Sequence, residues 1–222
     1  MTVILVLATF LAFIALDYVL NRRTAIATVS AEPSRAVVPQ LGDYVGGFHV
    51  PADRSFHPGH SWLSEERKNV VRVGVDEFAA ALLGKVEKIA LPCRGQWIRQ
   101  GQKVLSFFRD GSETQMVSPT EGEVLAVNPE VLHNPSLLRR DPYGAGWLFT
   151  LNVPDQESTG RNLVPKRLVE DWMREAVDRL YARQPQLAGA VAADGGIPAE
   201  DLGGLFPDTD WKELTAEFFL TA

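Results

Sequence analysis

Residues 104–127 carry the pattern of a β-hairpin, and this pattern limits the fold more than any other part of the chain. Residues 104–108 (VLSFF) are apolar and rich in strand-forming side chains. Asp110-Gly111 follows, a dipeptide that two-residue hairpin turns prefer because both turn positions need a positive φ. Ser118-Pro119 then marks the end of the returning strand. The pattern predicts a hairpin whose tip presents Arg109, Asp110, Gly111 and Ser112.

Further motifs flank the hairpin in a fixed order along the chain. They are FHPGHSW at residues 56–62, RVGVDEFAAALLG at 72–84, KVEKIALPCRGQWIRQGQKV at 85–104 and SPTEGEVLAVNPEVLHNPSLLRRDPYGAGWLFTL at 118–151. Together they resemble the glycine cleavage system H protein family over residues 55–154. The resemblance implies a mainly β, lipoyl-like sandwiched-hairpin (barrel-sandwich) domain with flanking helices.

The hairpin tip departs from that family at the position that carries its cofactor. Counted back from Ser118-Pro119 without a gap, the family's lipoyl-lysine falls on Gly111 and the acidic residue before it on Phe108. The chain's lysines are Lys68, Lys85, Lys88, Lys103, Lys166 and Lys212. None lies between residues 104 and 130, and we expect Lys103 to be the closest to the tip. The resemblance therefore implies a carrier scaffold without a lipoyl cofactor.

The start of the chain predicts a membrane anchor. Residues 3–16 are apolar apart from Thr9, and residues 2–20 just reach the roughly 20 residues that a spanning helix needs. Arg22-Arg23 follow at once, and no basic residue precedes the span. Because basic residues stay on the cytoplasmic side, we expect a single-pass inner-membrane helix over residues 1–23, with the domain facing the cytoplasm. A cleaved secretory signal is the alternative, since residues 27–31 are small enough for cleavage.

A linker and a helical extension complete the predicted organisation. Residues 24–54 contain Pro and Gly without a sustained period, so we expect a linker with one short strand at residues 36–39. In the extension, residues 155–222, Pro165 suits the first turn of a helix of about 19 residues. Its two apolar rows are Leu168, Trp172, Ala176, Leu180 and Val169, Met173, Val177, Tyr181. We expect this helix to cover a face of the sheet.

The last 29 residues are acidic and contain aromatic side chains. Residues 194–222 hold seven acidic residues and one lysine, so their net charge is −6. This is the same as the net charge of the whole chain. Asp208 is predicted to cap a last helix that reaches Leu220. With Trp211, Phe218 and Phe219, this tail predicts a docking segment for a basic partner, and Arg109 and Glu113 at the hairpin tip are further candidates. The alternative is a solvated helix face.

The other residue patterns do not indicate catalysis. His49, His57 and His60 are too few for a metal site by ligand count. The chain has no phosphate loop, nucleophile elbow or Cys-x-x-Cys motif. The lone Cys93 cannot form an internal disulfide and fits a reducing compartment. Without a basic stripe, nucleic-acid binding is not indicated.

We therefore expect a non-catalytic, non-lipoylated scaffold or accessory subunit of a membrane-associated protein complex. One alternative is a glycine cleavage system H protein that acts as an aminomethyl carrier, which would need a lysine that lipoate can modify. Another is a lipoyl-like adaptor of a transport system. The sequence contains no long heptad pattern of the kind that forms a coiled coil, and this absence argues against the adaptor alternative.

Overall fold

The structure is a computed structural model that describes residues 44–154, 159–183, 201–206 and 209–222. All of these residues belong to the second of the chain's two units, residues 40–222. The predicted anchor at 1–23 and the predicted strand at 36–39 lie outside the described residues. Within the described ranges, no helix is long and apolar enough to cross a bilayer.

The described chain is mainly β, and every strand pairing is antiparallel. The strands are β1 (Tyr44–Val45), β2 (Phe48–His49), β3 (Ser55–Phe56), β4 (Ser61–Arg67), β5 (Val70–Val75), β6 (Lys88–Ala90), β7 (Trp97–Ile98), β8 (Lys103–Arg109), β9 (Ser112–Val117), β10 (Gly122–Val127) and β11 (Phe149–Asn152). They form a six-stranded sheet in the order β3-β4-β5-β11-β10-β7, a three-stranded sheet in the order β6-β8-β9, and the β1–β2 hairpin.

Helices flank these sheets. They are α1 (Glu77–Leu83), α2 (Pro129–His133), α3 (Leu137–Arg140), α4 (Val169–Ala182) and α5 (Trp211–Phe218), with 3-10 turns at Lys166–Leu168 and Gly203–Leu205. Buried side chains from both large sheets and from the helices form one core, in which Val73, Phe107 and Leu151 are fully enclosed. The prediction of a mainly β sandwich with flanking helices is confirmed.

Trp62 of the FHPGHSW motif packs directly on Gly74 of the RVGVD motif. Its indole is fully buried, and its Nε1 donates a hydrogen bond to the carbonyl of Pro142 at 3.1 Å. Gly74 pairs with Trp62 across β4 and β5, and a Cβ at Gly74 would lie 2.4 Å from the indole ring. Only a glycine leaves room for the ring, so these motifs define the fold.

The predicted linker is wrong at its C-terminal end, because residues from Tyr44 onwards are part of the folded domain. Gly46 and Gly47 both have positive φ, at 57° and 88°, and they join β1 to β2 in a tight turn. Val45 and Phe48 are buried, and the Phe48 ring meets the Phe78 ring edge-on with centroids 5.3 Å apart. This hairpin therefore belongs to the domain core.

The helix predicted from Pro165 is present as the 3-10 turn Lys166–Leu168 continued by α4. Its buried side chains are Val169, Met173, Ala176, Val177 and Leu180, so it packs on the domain, whereas Leu168 of the predicted apolar rows is exposed. The last helix, α5, has its N-cap two residues after the predicted one. Its N-cap is Asp210, whose carboxylate accepts a hydrogen bond from the Lys212 amide at 2.9 Å, and Asp208 lies outside the described residues.

Candidate functional site

The hairpin tip is a two-residue turn, as the sequence predicts. Arg109 pairs with Ser112 across β8 and β9, which leaves Asp110 and Gly111 as the loop. Their φ angles are 48° and 76°, as a type I′ turn requires. The Asp110 side chain is 80% exposed, and a Cβ at Gly111 would meet no atom within 4 Å. The turn is an open protrusion on a rigid sheet.

The side chain of Arg109 is not part of that open surface. Its Nη1 and Nη2 donate to the two carboxylate oxygens of Asp201, at 2.7 Å and 3.1 Å. Such bidentate pairs are geometrically specific and among the stronger hydrogen bonds in proteins. Gly84 lies against this pair, since a Cβ there would come within 2.1 Å of Asp201 Oδ1. Arg109 therefore holds the C-terminal segment, which corrects its expected role as a free partner-binding residue.

The C-terminal aromatic residues are packing residues, not an exposed docking surface. Phe218 and Phe219 are buried, and Phe218 lies edge-on to Phe78 with ring centroids 5.2 Å apart. Trp211 is half-buried, and its Nε1 donates to the Leu82 carbonyl at 3.2 Å. This part of the docking prediction is wrong because the apolar side of α5 faces the chain's own domain.

Helix α5 lies over β9, the returning strand of the hairpin. Thr215 Oγ1 donates to Thr114 Oγ1 at 2.6 Å, and both residues are buried. At the far end of β8, Lys103 Nζ donates to the carbonyl of Thr221 at 2.7 Å. The tail therefore contacts the hairpin sheet along much of its length. Around the turn, Asp110, Gly111 and Glu113 remain exposed.

Of Lys88 and Lys103, it is Lys88 that lies towards the turn end of the sheet. Lys88 lies opposite Phe108 in the β6–β8 pairing, and its Nζ is 5.2 Å from the centroid of the Phe108 ring. Lys103 begins β8 and so lies at the strand end away from the turn. Distance along the sequence suggested the wrong residue because it does not reveal which strand pairs with β8. Lys88 is still on a neighbouring strand and does not occupy the turn.

His57 and His60 are buried in the domain. The His60 Nδ1 lies 2.8 Å from Asp76 Oδ2, and both residues are buried. The His60 ring lies between Trp172 and Phe78, with centroids 4.6 Å and 4.5 Å away. Burial, with a smaller effect of His60, lowers the pKa of His57 to about 4, so His57 is neutral near pH 7. Across the described ranges, no group of three or more possible ligands gathers to hold a metal ion.

Comparison of the sequence with models of known protein families shows which family this chain belongs to. The family described as Glycine cleavage H-protein matches residues 54–176, which is more than half of the chain. This chain belongs to the glycine cleavage H-protein family. The match begins just before β3 and ends within α4, so the β1–β2 hairpin and the tail segments 201–206 and 209–222 lie outside it.

Several glycine cleavage system H proteins are similar to this family member. One from Kocuria rhizophila is 33% identical over 116 residues, which are 52% of this chain and 91% of that protein. One from Aeromonas hydrophila is 35% identical over 107 residues, or 48% and 83% of the two chains. A crystal structure of the H protein from Mycobacterium marinum aligns with a TM-score of 0.49 and 23% identity, covering 57% of this chain and 98% of that one.

Proposed function

We propose that this chain is a non-catalytic, non-lipoylated member of the H-protein family that serves as a scaffold or accessory subunit of a membrane-associated protein complex. The observation that carries the proposal is the hairpin turn. By the sequence resemblance, the carrier lysine belongs at Gly111, and the turn consists of Asp110 and Gly111. A carboxylate and a residue without a side chain offer no amine to acylate.

The contacts around the turn support a docking role over a carrier role. The space beside Gly111 is open, but glycine has no side chain to which a swinging group could be attached. The Arg109–Asp201 pair further fixes the base of the turn. A rigid, exposed tip is still a precise protrusion for a protein partner after the lysine is gone.

Co-expression with a lipoate ligase and intact-mass measurement test this proposal. We expect no added lipoyl mass on the purified chain, because the turn lacks an amine. The Gly111→Lys variant should also remain largely unmodified, because Phe108 stands where the family has an acidic residue and a ligase must read the neighbouring residues. Efficient lipoylation of the unaltered chain would overturn the proposal.

A second candidate is an aminomethyl carrier of the glycine cleavage system. The names of the similar proteins favour it, since those from Kocuria rhizophila and Aeromonas hydrophila are glycine cleavage system H proteins. It requires a modified lysine away from the turn, and Lys88 is the candidate at that end of the sheet. A lipoyl mass that disappears in the Lys88→Arg variant and persists in Lys68→Arg would establish this alternative.

For localisation, we propose a retained anchor over residues 1–23 with the domain in the cytoplasm. The support is the uncharged apolar start followed by Arg22-Arg23. A reporter that is active only in the periplasm, fused after Ala222, should stay silent. Strong reporter activity, or a mature N-terminus near Glu32, would contradict this topology.

A further inference from the structure

A cavity of about 150 Å³ lies between α4, the end of the tail and the turn that precedes β4. Its apolar walls come from Trp172 and Ala176 of α4, from Phe218 and Leu220 of the tail, and from Pro58 of the turn. Phe218 and Leu220 lie beyond residue 176, where the match to the family ends. The cavity therefore depends on residues outside the family match.

His60 also lines this cavity, and its imidazole ring is held in one orientation. Trp172 is stacked on the ring with centroids 4.6 Å apart, and the centroid of the Phe78 ring lies 4.5 Å away on the other side. The Nδ1 atom lies 2.8 Å from Asp76 Oδ2. Because an ionised carboxylate only accepts hydrogen bonds, the proton of this bond is on Nδ1. Both faces and one edge of the ring are therefore occupied, which leaves the Nε2 edge.

The Nε2 atom of His60 is a polar group at the cavity surface that has no partner. The residue is only 2% exposed, and no atom of the described ranges forms a hydrogen bond with Nε2. Nε2 is also not one of the unpartnered side-chain atoms that are fully shielded from solvent, so it reaches the cavity that His60 lines. An enclosed polar atom without a partner is unfavourable, and a hydroxyl group of a ligand would supply the missing hydrogen bond.

The charged side chains that line the cavity favour a neutral ligand. They are Glu175 and Arg179, which carry opposite charges and lie four residues apart on α4. The Arg179 guanidinium already lies 5.0 Å from the centroid of the Phe218 ring, and its Nη2 is 3.5 Å from Glu217 Oε1. Neither sign of charge is in excess at the cavity, so an ionic ligand would gain little there.

We propose that this cavity binds a small neutral phenol. A cavity of about 150 Å³ with apolar walls has room for one benzene ring. The rings of Trp172 and Phe218 offer an aromatic ligand stacked or edge contacts. A hydroxyl group can pair with His60 Nε2 in either state, because it donates to the neutral imidazole and accepts from the imidazolium. Drug-sized ligands, which occupy cavities of about 300–1,000 Å³, are too large.

The test is titration of the full-length chain with phenol and with toluene, which has nearly the same shape but no hydroxyl group. The NMR signal of the Trp172 indole N–H reports binding of either ligand, and the signal of the His60 Nε2 nitrogen reports the hydrogen bond. We expect phenol to shift the Nε2 signal saturably and to bind at least as tightly as toluene. In a cavity without a partner for the hydroxyl group, toluene would instead bind about fivefold tighter or more, because burying an unpaired hydroxyl is unfavourable.

Ala176→Leu should abolish binding, because the larger side chain fills the cavity. Ala182→Leu is the matched control, since Ala182 is an exposed residue of the same helix that does not line the cavity, and its affinity for phenol should be unchanged. Both variants are measured in the same detergent as the unaltered chain, so partition of the ligands into micelles is the same for all three.

Three results would each overturn the proposal: no saturable shift of the Nε2 signal with phenol, tighter binding of toluene than of phenol, or a folded Ala176→Leu variant that binds phenol like the Ala182→Leu variant. Thermal unfolding without ligand shows whether each variant is folded. If Ala176→Leu does not fold, the Nε2 shift and the order of the two affinities in the unaltered chain decide.

Discussion

The Phe218→Ala variant should lose about 3–5 kcal/mol of unfolding free energy, because removing a buried aromatic side chain leaves a cavity. Phe218 is 1% exposed and packs against Phe78, and the Arg179 guanidinium lies 5.0 Å from its ring centroid. The substitution removes these contacts at once. Urea unfolding of the full-length chain, followed by tryptophan fluorescence, should show a clearly lower midpoint.

Trp97→Ala is the control for loss of an aromatic side chain. Trp97 is 52% exposed on the edge strand β7, so its removal should change the unfolding free energy far less than loss of Phe218. An equally small effect of Phe218→Ala would mean that α5 is not part of the core. The tail would then again be a candidate docking segment.

The Asp76→Ala variant should also be destabilised, by about 1–3 kcal/mol, because it leaves the buried His60 Nδ1 without its hydrogen-bond partner. Asp76 has a second role, since its Oδ1 accepts the Ala79 amide at 2.7 Å and caps α1. Losing that cap adds about 1 kcal/mol. Asp76→Asn keeps an acceptor for the cap, so it should be less destabilised than Asp76→Ala, and urea unfolding of both variants measures the difference.

Asp171→Ala provides the comparison for an exposed ion pair. Asp171 pairs with Arg174 at 2.8 Å, and both side chains are more than half exposed, so its removal should cost no more than about 1 kcal/mol. If Asp76→Ala were no worse than Asp171→Ala, the buried His60–Asp76 pair would have no special structural role.

The sequence predicts the hairpin well because its signal is local, whereas the prediction of the sandwich came from the resemblance to the H-protein family. Asp110-Gly111 specifies its own turn through the backbone, whatever the rest of the chain does. The apolar row of α4 likewise follows from its helical spacing. These features depend on neighbours a few residues away, which a single sequence displays.

The role of the tail could not be predicted, because it depends on contacts between distant segments. An acidic helix with aromatic residues looks the same whether it binds a partner or its own domain. Contacts in the folded chain, such as the packing of Phe218 on Phe78 and the pairing of Asp201 with Arg109, distinguish the two. Lys88 is a similar case, because its place opposite Phe108 follows from strand order.

Site-specific photo-crosslinking tests most directly whether the hairpin turn is a docking protrusion. A photoreactive phenylalanine analogue at Asp110 should crosslink a protein partner in intact host membranes. The same analogue at Glu130, an exposed residue of α2, should not. Both variants must be expressed and folded. If the Asp110 probe then forms no adduct beyond those of the Glu130 probe, the docking role of the turn is contradicted.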